Sequence, residues 1–298
     1  NNKKKFTLMS FSRVILGSAQ FAGGYGVANE QKKFNVNEIY EILDYALSIG
    51  INKIDTANAY ENAESILGNF GANKFRIITK IPKKDKVSIN YPEWMEEKLE
   101  ESLSRLKTET IYCLHLHSPE DLLTPEGEDI ILKLEEFKRN SSIKKIGFSV
   151  YNSKQLKSLL SVMTPDIVQV PVNVFDQRLI KDGSIGALSD RKIKIHIRSI
   201  FLQGLMLMEA KDRPDYFDNW KDLFNKWDQW NNHELRNKIN SCLNFSMNLE
   251  NISNIIIGVD SLQQLKNLYR HKIINDFLLP DYLCTEDEDL LDPRRWQI

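Results

Sequence analysis

The stretch Val14-Ile15-Leu16-Gly17-Ser18-Ala19-Gln20 decides between two folds for this chain. Its first four residues form an apolar run that predicts a buried parallel strand. An open dinucleotide-binding sheet would continue from such a strand into a GxGxxG loop and a helix. Here Gly17-Ser18-Ala19-Gln20 follows, and the later Gly23-Gly24-Tyr25-Gly26 does not lead into a helical pattern. The first strand therefore favours a closed barrel over an open sheet.

Seven further apolar runs alternate with amphipathic stretches along the rest of the chain. The predicted strands are Val14–Gly17, Ile51–Asp55, Phe75–Lys80, Ile111–His117, Lys145–Ser149, Ile167–Val170, Ile193–Arg198 and Ile255–Val259. The predicted helices are Val36–Ile49, Glu61–Gly68, Pro92–Leu106, Glu126–Arg139, Ser153–Ser161, Ser184–Arg191, Phe217–Leu249 and Ser261–Tyr269. This alternation, with no break in composition, predicts an α/β fold of the (β/α)8 TIM barrel type, as one domain over residues 1–298. We also expect an N-terminal β-hairpin between residues 5–10 and 12–16, and an ordered C-terminal tail.

Composition and charge exclude several classes of protein. The chain has 298 residues with 40 basic and 41 acidic side chains, for a formal net charge of -1 at pH 7. This balance argues against a nucleic acid or an anionic membrane as a partner. Three scattered cysteines form neither a disulfide framework nor a paired-cysteine zinc site, and they favour a reducing compartment. Because no signal peptide or apolar membrane span is visible, we expect a cytoplasmic protein; its oligomeric state is not indicated.

Polar side chains at the ends of three predicted strands suggest the chemistry. Active groups of such barrels lie at the carboxyl ends of the strands, which here carry Asp55, Lys80 and His117, with Tyr60 just beyond Asp55. Reduction of a carbonyl needs a proton donor and polar groups that stabilise the developing alkoxide. We expect Tyr60 to be that donor and Lys80 to lower its pKa, because a nearby ammonium favours the tyrosinate. Asp55 would hold Lys80 charged, and His117 would orient the substrate oxygen.

These residues and several flanking stretches resemble the aldo-keto reductase family. The stretches that carry the resemblance are Asp55-Thr56-Ala57-Asn58-Ala59-Tyr60, Ile78-Thr79-Lys80, Leu116-His117-Ser118-Pro119, Ile146-Gly147-Phe148-Ser149, Val168-Gln169-Val170-Pro171-Val172-Asn173 and Ile256-Ile257-Gly258. The resemblance implies a catalytic tetrad of Asp55, Tyr60, Lys80 and His117, acting with NADPH or NADH. The cofactor-binding residues that it implies are Gly17, Ser149, Gln169, Arg198, Ser199, Gly258, Asp260 and Gln264.

The sequence departs from the family pattern around the cofactor. Val150 stands where the family often has asparagine. Arg198 aligns with the aromatic residue that commonly stacks on the nicotinamide, and its charge would repel the oxidised, cationic ring. Asp260 aligns with the basic residue that neutralises a 2′-phosphate, so it favours NADH over NADPH on charge grounds. The interval from Tyr60 to Lys80 is also shorter than in many members, which we interpret as a trimmed helix.

The substrate and the C-terminal tail leave alternatives open. Val150, residues 201–204 and the ending Asp292-Pro293-Arg294-Arg295-Trp296 resemble bacterial family members of surface-carbohydrate biosynthesis, which implies a sugar-derived carbonyl substrate. Arg294 and Arg295 would suit an anionic sugar; the alternative is a tail that only packs. A rival class is a reductase-like nicotinamide-binding regulatory or redox-sensing protein with little turnover. A third hypothesis, a lyase that forms a Schiff base at Lys80, requires a neutral lysine.

Overall fold

A computed structural model describes residues 6–8, 11–22, 27, 35–85, 89–232, 236–275 and 277–298. In these ranges the strands are β1 (Phe6–Leu8), β2 (Val14–Gly17), β3 (Lys53–Asp55), β4 (Arg76–Ile81), β5 (Cys113–Leu116), β6 (Ile146–Ser149), β7 (Ile167–Pro171), β8 (Lys194–Arg198), β9 (Asn254–Gly258) and β10 (Lys272–Ile274). Strands β2 to β9 close into a barrel in sequence order. Every pair is parallel, and β9 pairs with β2 through Gly258 opposite Gly17. The predicted (β/α)8 barrel is confirmed, with small shifts at the strand ends.

The α-helices lie between and around these strands. They are α1 (Val36–Ser48), α2 (Ala63–Phe70), α3 (Tyr91–Leu106), α4 (Gly127–Arg139), α5 (Ser153–Leu160), α6 (Arg178–Lys181), α7 (Ser184–Asp190), α8 (Lys221–Asn231), α9 (Lys238–Asn248), α10 (Leu262–Tyr269) and α11 (Glu288–Leu291). Helix α1 begins where predicted, because Asn35 and Glu38 form a reciprocal capping box. Its buried residues recur at helical spacing, so one face packs on the barrel.

One predicted helix is wrong. The single helix expected over 217–249 consists of a 3-10 segment (Asp215–Trp220), α8 and α9. Aromatic residues of this stretch are buried: Phe217, Phe224 and Trp227 lie in a second hydrophobic cluster beside the barrel.

The N-terminal hairpin prediction is also wrong in its pairing. Strand β1 pairs antiparallel with β10, so that Phe6 lies opposite Ile274. Residues 14–17 belong to the barrel instead. A strand edge can pair with any complementary backbone, and the partner here comes from the far end of the chain.

The C-terminal tail is ordered, and hydrophobic burial explains why. Leu290 and Leu291 of α11 are buried in the second cluster. Trp296 packs edge-on against Phe217 at a ring-centroid distance of 5.0 Å, and its indole N–H donates to the carbonyl of Leu290 over 2.9 Å. Burial of one leucine side chain contributes about 1.5–3 kcal/mol. These anchors hold the intervening residues 292–295 in place.

Apolar residues fill the barrel interior. Ile15, Ile78, Cys113 and Ile167 form a buried cluster inside it. Because the side chains of a barrel strand point alternately inward and outward, Lys80 lies on the inward side of β4 together with Ile78. The strand geometry therefore directs the lysine toward the carboxyl-end mouth of the barrel, where the other polar residues lie.

Candidate active site

A cavity of about 690 Å³ opens at the carboxyl ends of the barrel strands. All twelve site residues expected from the sequence line it: Gly17, Asp55, Tyr60, Lys80, His117, Ser149, Gln169, Arg198, Ser199, Gly258, Asp260 and Gln264. They lie on all eight barrel strands or in the segments that follow them. The barrel thus brings residues that are up to 247 positions apart in the sequence into one cavity, where they can contact one ligand.

A buried ion pair lies at the bottom of this cavity. Lys80 Nζ is 2.6 Å from Asp55 Oδ1, and the two side chains are 5% and 8% exposed. The same ammonium donates to the carbonyl of Thr56 over 2.8 Å. The other carboxylate oxygen of Asp55 accepts from the Gln169 side-chain amide. Gln169, which the resemblance assigns to the nicotinamide carboxamide, therefore also helps to hold Asp55.

Tyr60 stands beside this pair, in the turn between β3 and α2. Lys80 Nζ lies 5.3 Å from the centroid of the Tyr60 ring. Burial of the phenol is the main cause that raises the pKa of Tyr60 above its usual value, and the Asp55 carboxylate adds to it. Arg198 acts in the opposite direction. The expected net lowering of this pKa is not found, because burial and the Asp55 charge outweigh the lowering effect of Arg198. The phenol is therefore protonated at neutral pH, as a proton donor must be.

Two histidines of one strand region have different surroundings. His117 follows β5 and is exposed to the cavity. Desolvation by the walls of the barrel mouth, followed by the charge of Lys80, lowers the pKa of His117 to about 4. The imidazole is therefore neutral at pH 7 and can donate one N–H. His115 is fully buried, and neither ring nitrogen has a hydrogen-bond partner within the described structure. Its place is in the barrel interior, against Gly147, where a Cβ would lie 2.5 Å from His115 Nε2.

Arg198 ends β8 and reaches into the cavity. Its guanidinium donates to Ser149 Oγ, Ser199 Oγ and the carbonyl of Val150, each over 3.2 Å. Its Cζ lies 4.3 Å from the centroid of the Tyr151 ring. The position that the resemblance assigns to a stacking aromatic residue is thus filled by a cation held on neutral oxygens.

The far end of the cavity has features that suit a nucleotide. Asp260 and Gln264 line it where α10 begins, and the Asp260 backbone N–H donates to Gln264 Oε1 over 2.8 Å. Gly258 lies under the Gln20 side chain, and a Cβ there would come within 2.2 Å of Gln20 Nε2. Only glycine lets a backbone be approached this closely. A continuous cavity that runs from Tyr60 to Asp260 fits an extended dinucleotide, with hydrogen-bonding side chains at both ends.

Sequence reasoning missed several residues that line the cavity. Tyr151 contacts Arg198, and Gln20 covers Gly258. In the loop after β8, Ser199, Leu202 and Gln203 have left-handed φ angles of 60°, 47° and 54°. Backbone in this region is strained for residues other than glycine and is concentrated at functional sites. No local sequence pattern predicts these φ angles.

Within the described ranges, no group of three or more histidine, cysteine, aspartate or glutamate residues could hold a metal ion. The described helices also include none that is both long and apolar enough to cross a membrane.

The fold and this cavity define a barrel with an oxidoreductase-like active site, and comparison with known proteins identifies its family. The model of the aldo/keto reductase family matches residues 13–272. The chain belongs to the aldo/keto reductase family.

Two curated relatives and one solved structure illustrate the similarity. Aldo-keto reductase YhdN of Bacillus subtilis (strain 168) is 25% identical over 232 residues, or 72% of this chain and 65% of that protein. D-arabinose 1-dehydrogenase of Saccharomyces cerevisiae is 28% identical over 157 residues, or 49% of this chain and 45% of that protein. The chain thus spans less than two thirds of either relative. The holo form of aldo-keto reductase AKR11C1 from Bacillus halodurans shares the fold, with a TM-score of 0.70, 18% identity and 90% of each chain covered.

Proposed function

We propose that residues 1–298 act as one NAD(P)H-dependent reductase of an aldehyde or ketone, with Tyr60 as the general acid. The observation that carries this proposal is the protonated Tyr60 beside the buried Asp55–Lys80 pair, in the cavity that also holds Asp260 and Gln264. Family membership supports the same reaction class.

The residues divide the work of the reduction between them. Bound NAD(P)H would supply the hydride for the carbonyl carbon. As the carbonyl π electrons move to oxygen, Tyr60 donates its hydroxyl proton there and becomes a tyrosinate, which solvent reprotonates. The neutral His117 donates a hydrogen bond to the same oxygen and orients it. Lys80, which Asp55 holds in place, stabilises the negative charge that develops on Tyr60.

Cofactor binding would use the remaining cavity residues. We assign Ser149, Gln169, Arg198 and Ser199 to the nicotinamide end, and Gly17, Gly258, Asp260 and Gln264 to the rest of the dinucleotide. Asp260 is half-buried at the beginning of α10, where its carboxylate can accept from a ribose hydroxyl and would repel a 2′-phosphate. NADH is therefore the proposed cofactor in preference to NADPH.

The proposed substrate is a sugar-derived carbonyl compound, and in particular an anionic one. The resemblance of residues 201–204 and 292–296 to members of surface-carbohydrate pathways supports a sugar. A relative named D-arabinose 1-dehydrogenase points in the same direction. An anionic group would suit the positively charged arginines at the cavity.

Titration of the protein with NADH and NADPH, followed by the fluorescence of its five tryptophans, tests the cofactor assignment. We expect micromolar binding, tighter for NADH than for NADPH. Absence of binding to either cofactor by folded protein would overturn the proposal. Binding without turnover of a panel of aldehydes and sugars would instead support the regulatory or redox-sensing alternative.

The lyase hypothesis fares worse in this geometry. A Schiff-base nucleophile must be a neutral amine, whereas Lys80 lies against the Asp55 carboxylate at 2.6 Å, a contact that favours the ammonium. Borohydride trapping of a substrate adduct on Lys80 would revive it.

A further inference from the structure

The described part of the cavity lining contains three cations, and one of them has no anionic partner. Lys80 is paired with Asp55, and Arg294 with Asp292. The hydrogen bonds of Arg198 go to two hydroxyls and one carbonyl, and no described carboxylate lies within ion-pair distance. A half-buried guanidinium retains its charge at all relevant pH values. Arg198 is therefore a cavity cation without a described carboxylate in direct contact, and Asp292 interacts with it only at longer range.

Arg294 approaches the same place from the C-terminal tail. It lies in the 3-10 segment Pro293–Arg295, and both Pro293 and Arg294 line the cavity. Its Cζ is 3.4 Å from the centroid of the Tyr151 ring, the ring that Arg198 also contacts. Two guanidinium groups thus converge on one aromatic side chain at the cavity mouth.

The orientation of Arg294 is fixed in advance. Its Nε donates to Asp292 Oδ1 over 2.9 Å and its Nη2 donates to Asp292 Oδ2 over 2.6 Å. Asp292 is buried, whereas the Arg294 side chain is 57% exposed. Nη1 makes no hydrogen bond within the described chain and can donate to a ligand. Such pre-organisation reduces the entropy that an arginine loses when it binds an anion.

We propose that Arg198, Tyr151 and Arg294 form a subsite for the acidic group, a phosphate or carboxylate, of the carbonyl substrate. The subsite rests on the proposed reductase function, and it assigns the recognition of charge to a residue of the C-terminal tail. Both guanidinium groups contact the Tyr151 ring and line the cavity, and an anion within their reach receives charge-assisted hydrogen bonds. Arg295, which the sequence also suggested for this role, is left out of the proposed subsite because it does not line the cavity.

Arg295 provides a matched control one residue away. It is 48% exposed, is paired with Glu288 at 2.6 Å and Asp289 at 2.9 Å, and does not line the cavity. Both arginines lie in the same short 3-10 segment. A general loss of tail structure or of surface charge would affect both variants alike, whereas loss of the subsite would affect only one.

The test compares glyceraldehyde 3-phosphate with glyceraldehyde, two aldehydes that differ by one phosphate, as substrates with NADH. For Arg294→Ala we expect kcat/KM to fall at least tenfold with the phosphorylated aldehyde and less than twofold with the neutral one. Arg295→Ala should change neither. Because Arg294→Ala leaves Asp292 unpaired, the double variant D292N/R294A is included and should show the same loss. Equal effects on both aldehydes, or equal effects of the two arginine variants, would overturn the proposal.

Calorimetric titration with inorganic phosphate gives a readout that does not need turnover. Wild-type protein and Arg295→Ala should bind phosphate at least tenfold more tightly than Arg294→Ala. If neither aldehyde is reduced but this difference is present, the reductase assignment fails and the anion subsite stands. If the aldehydes are reduced and phosphate binding is the same in all variants, the subsite fails and the reductase assignment stands.

Discussion

Replacement of Lys80 by methionine tests whether the Asp55–Lys80 pair holds the site together. Methionine keeps most of the length of the lysine side chain but removes the ammonium. In the wild type this group lies 2.6 Å from Asp55 Oδ1 and also donates to the Thr56 carbonyl. The variant leaves a carboxylate that is 8% exposed, and among the described side chains the Gln169 amide still donates to it.

The size of the effect follows from the burial of both partners. Removal of one partner from a buried ion pair typically costs about 3–5 kcal/mol. An aspartate can instead take up a proton, which at pH 7 costs about 4 kcal/mol and sets a ceiling on the loss. We therefore expect Lys80→Met to reduce the free energy of unfolding by about 3–4 kcal/mol at pH 7, and by less than about 2 kcal/mol at pH 5.

Urea unfolding followed by tryptophan fluorescence at the two pH values measures this loss. The double variant D55N/K80M removes both charges and should recover most of the stability. A loss below about 1 kcal/mol in Lys80→Met at pH 7, or a double variant no more stable than the single one, would refute the reasoning.

Three further outcomes follow from the charges of the site and the barrel. Because the pKa of Tyr60 is raised, the rate of carbonyl reduction should be constant from pH 6 to 9. The rate of alcohol oxidation, which needs the tyrosinate, should still be rising at pH 10. An oxidation rate that reaches a plateau near neutral pH would contradict this. Burial lowers the pKa of His196 to about 3. The stability that the buried neutral imidazole contributes is therefore fully present above pH 6.5 and is lost as pH falls toward 3. Wild-type protein should therefore lose roughly 4 kcal/mol more unfolding free energy over that range than His196→Asn, and equal slopes in urea titrations would contradict this. Arg198→Gln should reduce the preference for NADH over NAD+ about fivefold, because a cation repels the oxidised ring; an unchanged ratio of dissociation constants from fluorescence titration would count against Arg198 at the nicotinamide.

The barrel could be predicted because its signal is local and repeated. Each apolar strand followed by an amphipathic helix gives the same pattern, and residues at strand ends such as Asp55 and Lys80 must meet at the barrel mouth. The pairing of β1 could not be predicted in this way, because its partner β10 is distant in sequence and backbone edges carry little specificity.

The sequence could predict which residues line the cavity but not the electrostatics of the cavity. The pKa of Tyr60 depends on how deeply the ring is buried and on its position relative to Asp55, and a strand pattern specifies neither. The convergence of Arg198 and Arg294 on Tyr151 joins a barrel strand to the C-terminal tail. This convergence depends on the packing of α11 and Trp296 in the second cluster, which is a long-range contact that no sequence motif predicts.

The most direct test of the central claim follows deuterium from NADH labelled at the transferable position of the nicotinamide into the product of a carbonyl substrate. Wild-type protein should place the deuterium on the carbinol carbon. Tyr60→Phe should bind NADH with unchanged affinity, because only the proton donor is missing. It should transfer deuterium at least about 100-fold more slowly than the wild type. A product without deuterium at that carbon, or a Tyr60→Phe variant as fast as the wild type, would contradict hydride transfer assisted by Tyr60.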